Sequence, residues 1–419
     1  MTKEPIADAR NLFEALHDGE DAVLRLLRAG VSPESVDEDG TTVLYQASVE
    51  GLTGAVRLLL AAGADPDRAS GPEAGDLPLC GAACGGGAEV VDALLAAGAR
   101  PDLPEQFGFT ALRWAVGLGY SRIVEALLSH GADPDLAGPE GDPPLVLAAR
   151  RGSVRTVRAL LRHGAGSRSG ALAEARRTLA VDVAEEMRRG LIETYGAHEV
   201  VVDRAVVDGG VTVTVELLRG GEPFAGRDQQ TGHGAVATVL EGELGIRVPA
   251  EELAVRALRG GGPELDDWHE QVSALWSRGD EETFLAAAAW CAAGDPALRA
   301  FGADVLGRLG FRADERPFAA RAVPLLRALA READDREPVR AAVTALGHHG
   351  DRSALPEILR HAGHPDRGVR YAVASALSGL APADRVDGVA ALVALSGDTD
   401  ARVRGRAATA LTELGGGGS

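Results

Sequence analysis

Aromatic side chains are scarce in this 419-residue chain: Phe, Trp and Tyr make up 4% of it, beside only 2 Met and 3 Cys. So few large rings leave small aliphatic side chains to fill the interior, which suits closely packed helices better than stacked sheets. Three cysteines cannot make a disulfide framework, and a reducing, cytoplasmic setting is the expectation. Long apolar runs are missing as well. The longest, Phe284–Ala293, is half of what a membrane span requires, and MTKEPIADARN has no apolar signal core, so a soluble chain without a membrane partner is expected. Lysine is almost absent. Lys3 is the single one among 43 basic residues, which together with the abundance of Ala, Gly and Arg suggests GC-rich bacterial coding.

Positive charge is short overall, with a formal net charge of −19. The deficit is uneven: residues 1–165 hold 24 Asp and Glu against 14 Lys and Arg, whereas residues 280–419 hold 19 against 17. An acidic surface of this kind disfavours phosphate backbones and anionic membranes, because nucleic-acid affinity depends on neutralising phosphates. Nucleic acid is therefore disfavoured as a partner, and a basic protein is the one expected.

What the chain does contain is repetition. Gly30-Val31-Ser32-Pro33, Gly63-Ala64-Asp65-Pro66, Gly98-Ala99-Arg100-Pro101, Gly131-Ala132-Asp133-Pro134 and Gly164-Ala165 follow one another at 33, 35, 33 and 33 residues. A fixed period of this length means stacked units, none able to bury its apolar face alone. Each unit opens a short helix at Thr42-Val43-Leu44, Leu77-Pro78-Leu79, Thr110-Ala111-Leu112 or Pro143-Pro144-Leu145. Small pairs such as Ala82-Ala83 and Ala148-Ala149 follow, then Gly51, Gly86, Gly119 and Gly152 end that helix. A second helix carries Val56/Leu59/Leu60, Val91/Leu94/Leu95, Val124/Leu127/Leu128 and Val157/Leu160/Leu161 at helical spacing.

Residues 8–166 resemble ankyrin repeats on this evidence, with four full units after an N-terminal half unit. One departure is that the family's histidine after Thr-Pro-Leu is Tyr45, Cys80, Arg113 and Val146 here. The resemblance implies that partners meet the hairpin fingertips and the concave helix face. By motif the fingertips are Glu38, Asp39 and Thr41; Glu73, Ala74 and Asp76; Gln106, Phe107 and Phe109; and Glu140 with Asp142. Trp114 stands just behind the two phenylalanines. Aromatics rimmed by charge have the composition of a binding hot spot, although the two rings could equally fold over a neighbouring finger as local core.

After Gly166 the pattern breaks. Residues 171–195 read as one helix, His198–Val207 and Val211–Leu218 as strands around the turn Asp208-Gly209-Gly210, and His233–Leu244 and Val248–Leu258 as helices. Farther on, Asp295-Pro296-Ala297-Leu298-Arg299, Arg336-Glu337-Pro338-Val339-Arg340, Asp366-Arg367-Gly368-Val369-Arg370 and Asp400-Ala401-Arg402-Val403-Arg404 each precede an Ala/Leu-rich helix. The aspartates can cap those helices and pair with the arginine four residues on. Residues 265–414 are similar to short HEAT repeats. The fold class expected is mainly α: an ankyrin-repeat solenoid over 1–166, a small α+β bridging unit over 167–262 and a HEAT-like α-solenoid over 263–414. The tail 415–419, GGGGS, resembles a flexible linker.

No motif for chemistry stands out. Cys80 and Cys84 lie on one predicted helix face without further ligands nearby, and read as structural thiols. His348, His349, His361, His364 and Asp351 form a loose group that reads as solvated loop histidines. Gly226–Gly234 reads as a polar loop before a helix. No cofactor, metal or catalytic residue is assigned. The function expected is a cytoplasmic protein–protein interaction scaffold or adaptor. The alternatives are an enzyme, or an enzyme's accessory subunit, using His198, His233, His269 and Glu270 where the middle unit meets the HEAT-like array, and nucleic-acid binding by Arg299, Arg340, Arg370 and Arg404.

Overall fold

The structure is a computed structural model, and it describes residues 5–73, 75–312, 315–380 and 386–416. Among these residues are 23 α-helices and one three-stranded antiparallel sheet. The chain forms two compact units, Met1–Leu244 and Gly245–Ser419. Of residues 167–262, those up to Leu244 therefore lie in the first unit and the rest in the second.

The first unit begins with α1 (Pro5–Asp18) and α2 (Glu20–Arg28) and continues in helix pairs. These are α3 (Val43–Val49) with α4 (Thr53–Ala61), α5 (Pro78–Cys84) with α6 (Ala88–Ala96), α7 (Ala111–Leu118) with α8 (Ser121–Ser129) and α9 (Pro144–Arg151) with α10 (Val154–Arg162). First helices stack on first helices and second on second. Local chemistry sets their starts. Thr42 and Thr110 accept the amides of Tyr45 and Arg113 at 3.2 Å, while Pro78 and Pro144 occupy first-turn positions where no amide hydrogen is needed. Leu59, Leu94, Leu127 and Leu160 are fully buried, one per repeat. Each contributes about 1.5–3 kcal/mol by leaving water, which is realised only when neighbouring repeats cover it. Gly152 closes α9 at φ 75° in the left-handed region, and a Cβ there would lie 2.6 Å from the carbonyl oxygen of Gln230. Position 152 thus needs glycine on two counts.

The repeat stack does not end with α10. Helix α11 (Arg168–Leu179) packs on α9, α13 (His233–Glu243) packs on α9, α10 and α11, and their apolar residues belong to the same core. Between them the chain forms α12 (Val183–Tyr195) and strands β1 (Glu199–Val207), β2 (Gly210–Arg219) and β3 (Glu222–Gln230), in the order β1-β2-β3. Val183, Met187 and Leu191 of α12 pack on Val213, Val215 and Leu217 of β2 as a small separate core. The single helix expected over 171–195 is thus two, divided where Asp182 caps α12 by accepting the amide of Glu185. Gly226–Gln230 belongs to β3 rather than to a loop.

The second unit pairs α14 (Ala250–Gly260) with α15 (Asp266–Arg278), α16 (Glu281–Cys291) with α17 (Pro296–Leu306) and α18 (Ala319–Glu332) with α19 (Arg336–His349). Helix α20 (Leu355–Arg360) then pairs with α21 (Arg367–Leu380), and α22 (Val386–Leu395) with α23 (Ala401–Gly416). Helices α17, α19, α21 and α23 stack in sequence around one continuous core. Asp295, Asp366 and Asp400 cap α17, α21 and α23 through their side chains, whereas Asp335 makes no such bond to α19. The tail's first two glycines continue α23; residues 417–419 lie outside the described residues.

Candidate protein-interaction face

The finger loops precede the first helix of each pair, and hydrogen bonds link successive fingers. In the first, the Asp37 carboxylate accepts the amides of Asp39 and Thr41 at 3.0 and 2.8 Å, fixing the turn. Gly71 of the second finger donates to the Gly40 carbonyl at 3.1 Å, and Gln106 of the third donates to the Gly75 carbonyl at 3.0 Å. The first three tips are therefore consecutive in space. Ala74, at the second tip, lies outside the described residues.

The three aromatic side chains divide. Phe107 is 66% exposed. Phe109 is half-buried, edge-on to Trp114 with ring centres 5.4 Å apart and with the Arg113 guanidinium 5.4 Å from its own centre. Trp114 is half-buried too and donates its indole N–H to Glu105 Oε1 at 3.0 Å. Burial raises the pKa of Glu105 above the usual carboxylate range, more than that indole bond lowers it. Phe109 and Trp114 thus support the third finger, and Phe107 alone projects from it.

The acidic tips also divide. Glu38, Asp39 and Glu73 are exposed and form no ion pair among the described residues. Glu140 pairs with Arg113 at 2.9 Å and Asp142 with Arg150 at 2.9 Å. Thr41 and Asp76 are half-buried, and Gln106 is exposed. Free negative charge is concentrated on the first two fingers, beside the one bare aromatic ring on the third.

A set of acids that sequence reasoning missed lies behind the fingers. Glu34 accepts the amide of Asp65 at 2.6 Å, Asp67 that of Arg100 at 3.0 Å, Asp102 that of Asp133 at 3.0 Å and Asp135 that of Gly166 at 2.9 Å. Each carboxylate joins one repeat to the next. The signal was available, since an acid recurs at one place in every unit.

The other candidate residues sit in separate surroundings. Cys80 is buried, its thiol pushed up to about 12 by burial, and approaches the carbonyls of Leu103 and Phe109; Cys84 is exposed. His233 is buried against the Arg150 carbonyl at 3.0 Å, and burial lowers its pKa below the usual histidine value. His198 lies at the start of the sheet, 4.8 Å from the Phe224 ring centre. Both belong to the first unit, whereas His269 and Glu270 lie on α15 of the second. His349 and His361 contact the carbonyls of Leu306 and Ala330 at 3.0 and 2.7 Å, each tying one helix pair to the preceding one. Neither is a solvated loop histidine.

The repeated arginines do not pair with the aspartate four residues before them. Arg370 instead makes a two-pronged pair with Asp398 of the following repeat at 2.7 and 2.9 Å, holding that carboxyl down to about 2, and Arg404 donates to the carbonyls of Asp398 and Thr399. Arg299 Nε and Arg340 Nη2 are buried without hydrogen-bond partners.

Two family models match. Ankyrin repeats, in three copies, match residues 79–171, and HEAT repeats match residues 323–412. The chain carries both repeat types. No curated protein matches it. Repeats of both kinds commonly serve as protein-interaction modules, and among the described residues no helix is long and apolar enough to cross a membrane.

Proposed function

We propose that the chain is a cytoplasmic scaffold or adaptor whose first three ankyrin fingers hold a basic protein partner. The observation that carries this reading is the pairing of bare Phe107 with Glu38, Asp39 and Glu73, acids outside any ion pair. An exposed ring supplies a desolvated anchor, and uncompensated carboxylates around it steer a positively charged partner toward it. The HEAT array adds a second curved surface of nearly balanced charge.

The test is comparative affinity capture with quantitative mass spectrometry, using the wild-type chain, Phe107→Ala, and Glu38→Gln/Asp39→Asn/Glu73→Gln. Basic proteins held by the wild type should be depleted at least tenfold by the ring variant and several-fold by the charge variant, and should elute as salt rises. Identical captured sets from all three chains would refute the reading.

A further inference from the structure

The sheet has two edges, and only one is defended against further pairing. On β3, Pro223 cannot donate to another strand, and the register shifts between Leu217 and Leu218 of β2 opposite it. Farther along β3, Gln229 Nε2 donates to the Arg150 carbonyl at 3.0 Å and Asp228 pairs with Arg151, so that strand is tied to the repeats. β1 has none of these devices. Its nine residues, EVVVDRAVV, hold five valines and no proline, and all but Val200 are exposed.

The hairpin turn fixes which main-chain groups of β1 look outward. Val207 and Gly210 close it around Asp208 and Gly209, both at positive φ, 55° and 86°. A two-residue turn of this kind makes Val207–Gly210 a hydrogen-bonded pair, and such pairs alternate along an antiparallel ladder. Val200, Val202, Arg204 and Val206 therefore turn their N–H and C=O groups away from β2. The Val211 carbonyl agrees with that phase: it stands opposite Val206 yet points toward β3, where it accepts the Thr231 amide at 2.8 Å. No fourth strand meets β1 among the described residues. A row of unmet main-chain groups is a template for one.

The two faces of β1 state which strand fits. Val202 and Val206 lie opposite Val215 and Val211, on the face where α12 packs over β2, yet they remain 39% and 66% exposed. On the other face Glu199 and Asp203 are exposed, and half-buried Glu216 stands opposite Val201. None of these three carboxylates is in an ion pair among the described residues. An antiparallel second copy of β1 would set its own Glu199 and Asp203 on that same face, like charge against like.

We propose that β1 takes up an extended segment of another protein as a fourth strand of the sheet. That segment alternates apolar residues, set against Val202 and Val206, with basic residues on the side of Glu199, Asp203 and Glu216. Arg204 shares the apolar face, so the residue opposite it is not basic. The main chain supplies the hydrogen bonds, and the acids select the partner. No finger residue takes part.

The probe is a fluorescein-labelled peptide, Lys-Val-Lys-Thr-Lys-Val-Lys, titrated with the full chain and read by fluorescence anisotropy. It should bind saturably at micromolar concentration, and amide exchange followed by mass spectrometry should slow at least fivefold in residues 199–207. N-methylation of its Val and Thr nitrogens keeps charge and side chains but removes the donors to β1, and should weaken binding at least tenfold. Glutamate in place of every lysine should do the same. Val202→Pro deletes an outward N–H and spares the β1–β2 ladder, so it should weaken binding at least tenfold with the melting temperature unchanged. Glu199→Gln/Asp203→Asn, both on the surface, should weaken it several-fold, and Glu38→Gln/Asp39→Asn/Glu73→Gln should leave it unchanged. Equal binding of the N-methylated peptide, no slowing of exchange in 199–207, indifference to both β1 variants, or an equal loss in the finger variant would overturn the proposal. So would a dimer of the chain in sedimentation that Val202→Pro dissolves, since the edge would then belong to a second copy.

Discussion

The two units solve one problem, fastening each repeat to the next, with a different balance of devices. Both use arginine–carboxylate pairs, but only the first adds a recurring carboxylate on a backbone amide. In the ankyrin unit that added fastener is repeated from Glu34 through Asp67 and Asp102 to Asp135. In the HEAT unit the fastener is an arginine on a carboxylate of a neighbouring repeat: Arg321 on Glu281, Arg327 and Arg331 on Glu357, Arg370 on Asp398. At Asp102 and Asp135 the first device consumes acids with no arginine paired to them among the described residues, while Glu34 and Asp67 also pair with Arg68 and Arg100; the second consumes both signs together throughout. The contrast accounts for part of the uneven charge, and it shows that a surplus of Asp and Glu does not by itself mark a surface for a cationic partner. Only acids left over after the fastening, such as Glu38, Asp39 and Glu73, carry that meaning.

The sharpest way to break the contrast is Arg370→Ala. Arg370 and Asp398 are largely buried, with side-chain exposures of 14% and 8%, so losing one partner should cost the HEAT unit about 3 kcal/mol. Amide exchange followed by mass spectrometry should show faster opening in residues 245–416 and none of it in the first unit. Next in size, Asp102→Ala with Asp135→Ala should cost the ankyrin unit about 2 kcal/mol, roughly 1 per hydrogen bond. Asp102→Asn with Asp135→Asn should recover most of that loss, because an acceptor rather than a charge is required. If asparagine is as damaging as alanine, the fastening is electrostatic in both units and the contrast collapses.

Acid should separate the units further. Burial lowers the pKa of His349 and His361, and takes His348 to about 4, with Arg308 adding to the effect. Their folded pKa values lie below the unfolded value of about 6.5. The stabilisation they give is complete above that pH and is withdrawn as pH falls toward 4. The first unit has one histidine shifted this way, His233. Thermal melts between pH 7 and 5, followed through Trp268, Trp276 and Trp290, should therefore fall more steeply than exchange in the ankyrin repeats indicates for that unit. Salt should have the smallest effect. Raising NaCl to 1 M should weaken the exposed pairs of both units, such as Arg321–Glu281 and Arg122–Glu89, and leave the amide bonds of Asp102 and Asp135 in place.

The repeats were legible because a period of 33 residues restates turn, helix and Leu-Leu pair together, and stacking makes all three necessary at once. The layer that closes the first stack was not. Helices α11 and α13 are separated by α12 and three strands, so no local period announces that they pair. The break at Asp182 did carry a signal, Asp182-Val183-Ala184-Glu185, an acid cap followed three residues later by glutamate. Strand β3 was obscured by the polar composition of GluProPheAlaGlyArgAspGlnGln, although Gly220-Gly221 before it is a hairpin turn. At the fingers, composition placed the aromatics correctly in the loop but could not say that Phe109 would turn inward onto Trp114 while Phe107 stayed out. The Arg113 guanidinium covers the inner ring, and Glu105 holds the Trp114 indole against which that ring packs.

The division of the closing layer bears on synthesis. Helices α1 to α11 can assemble one on another as they leave the ribosome, each finding its support in chain already made. The face of α10 must wait until everything from Val181 to Gly232 has been translated before α13 arrives to cover it. Bridging so long a gap is slow compared with adding one repeat to the next. A ribosome halted within the sheet would hold a nascent chain with a greasy, unsealed end, and that is the stage at which a chaperone would be needed.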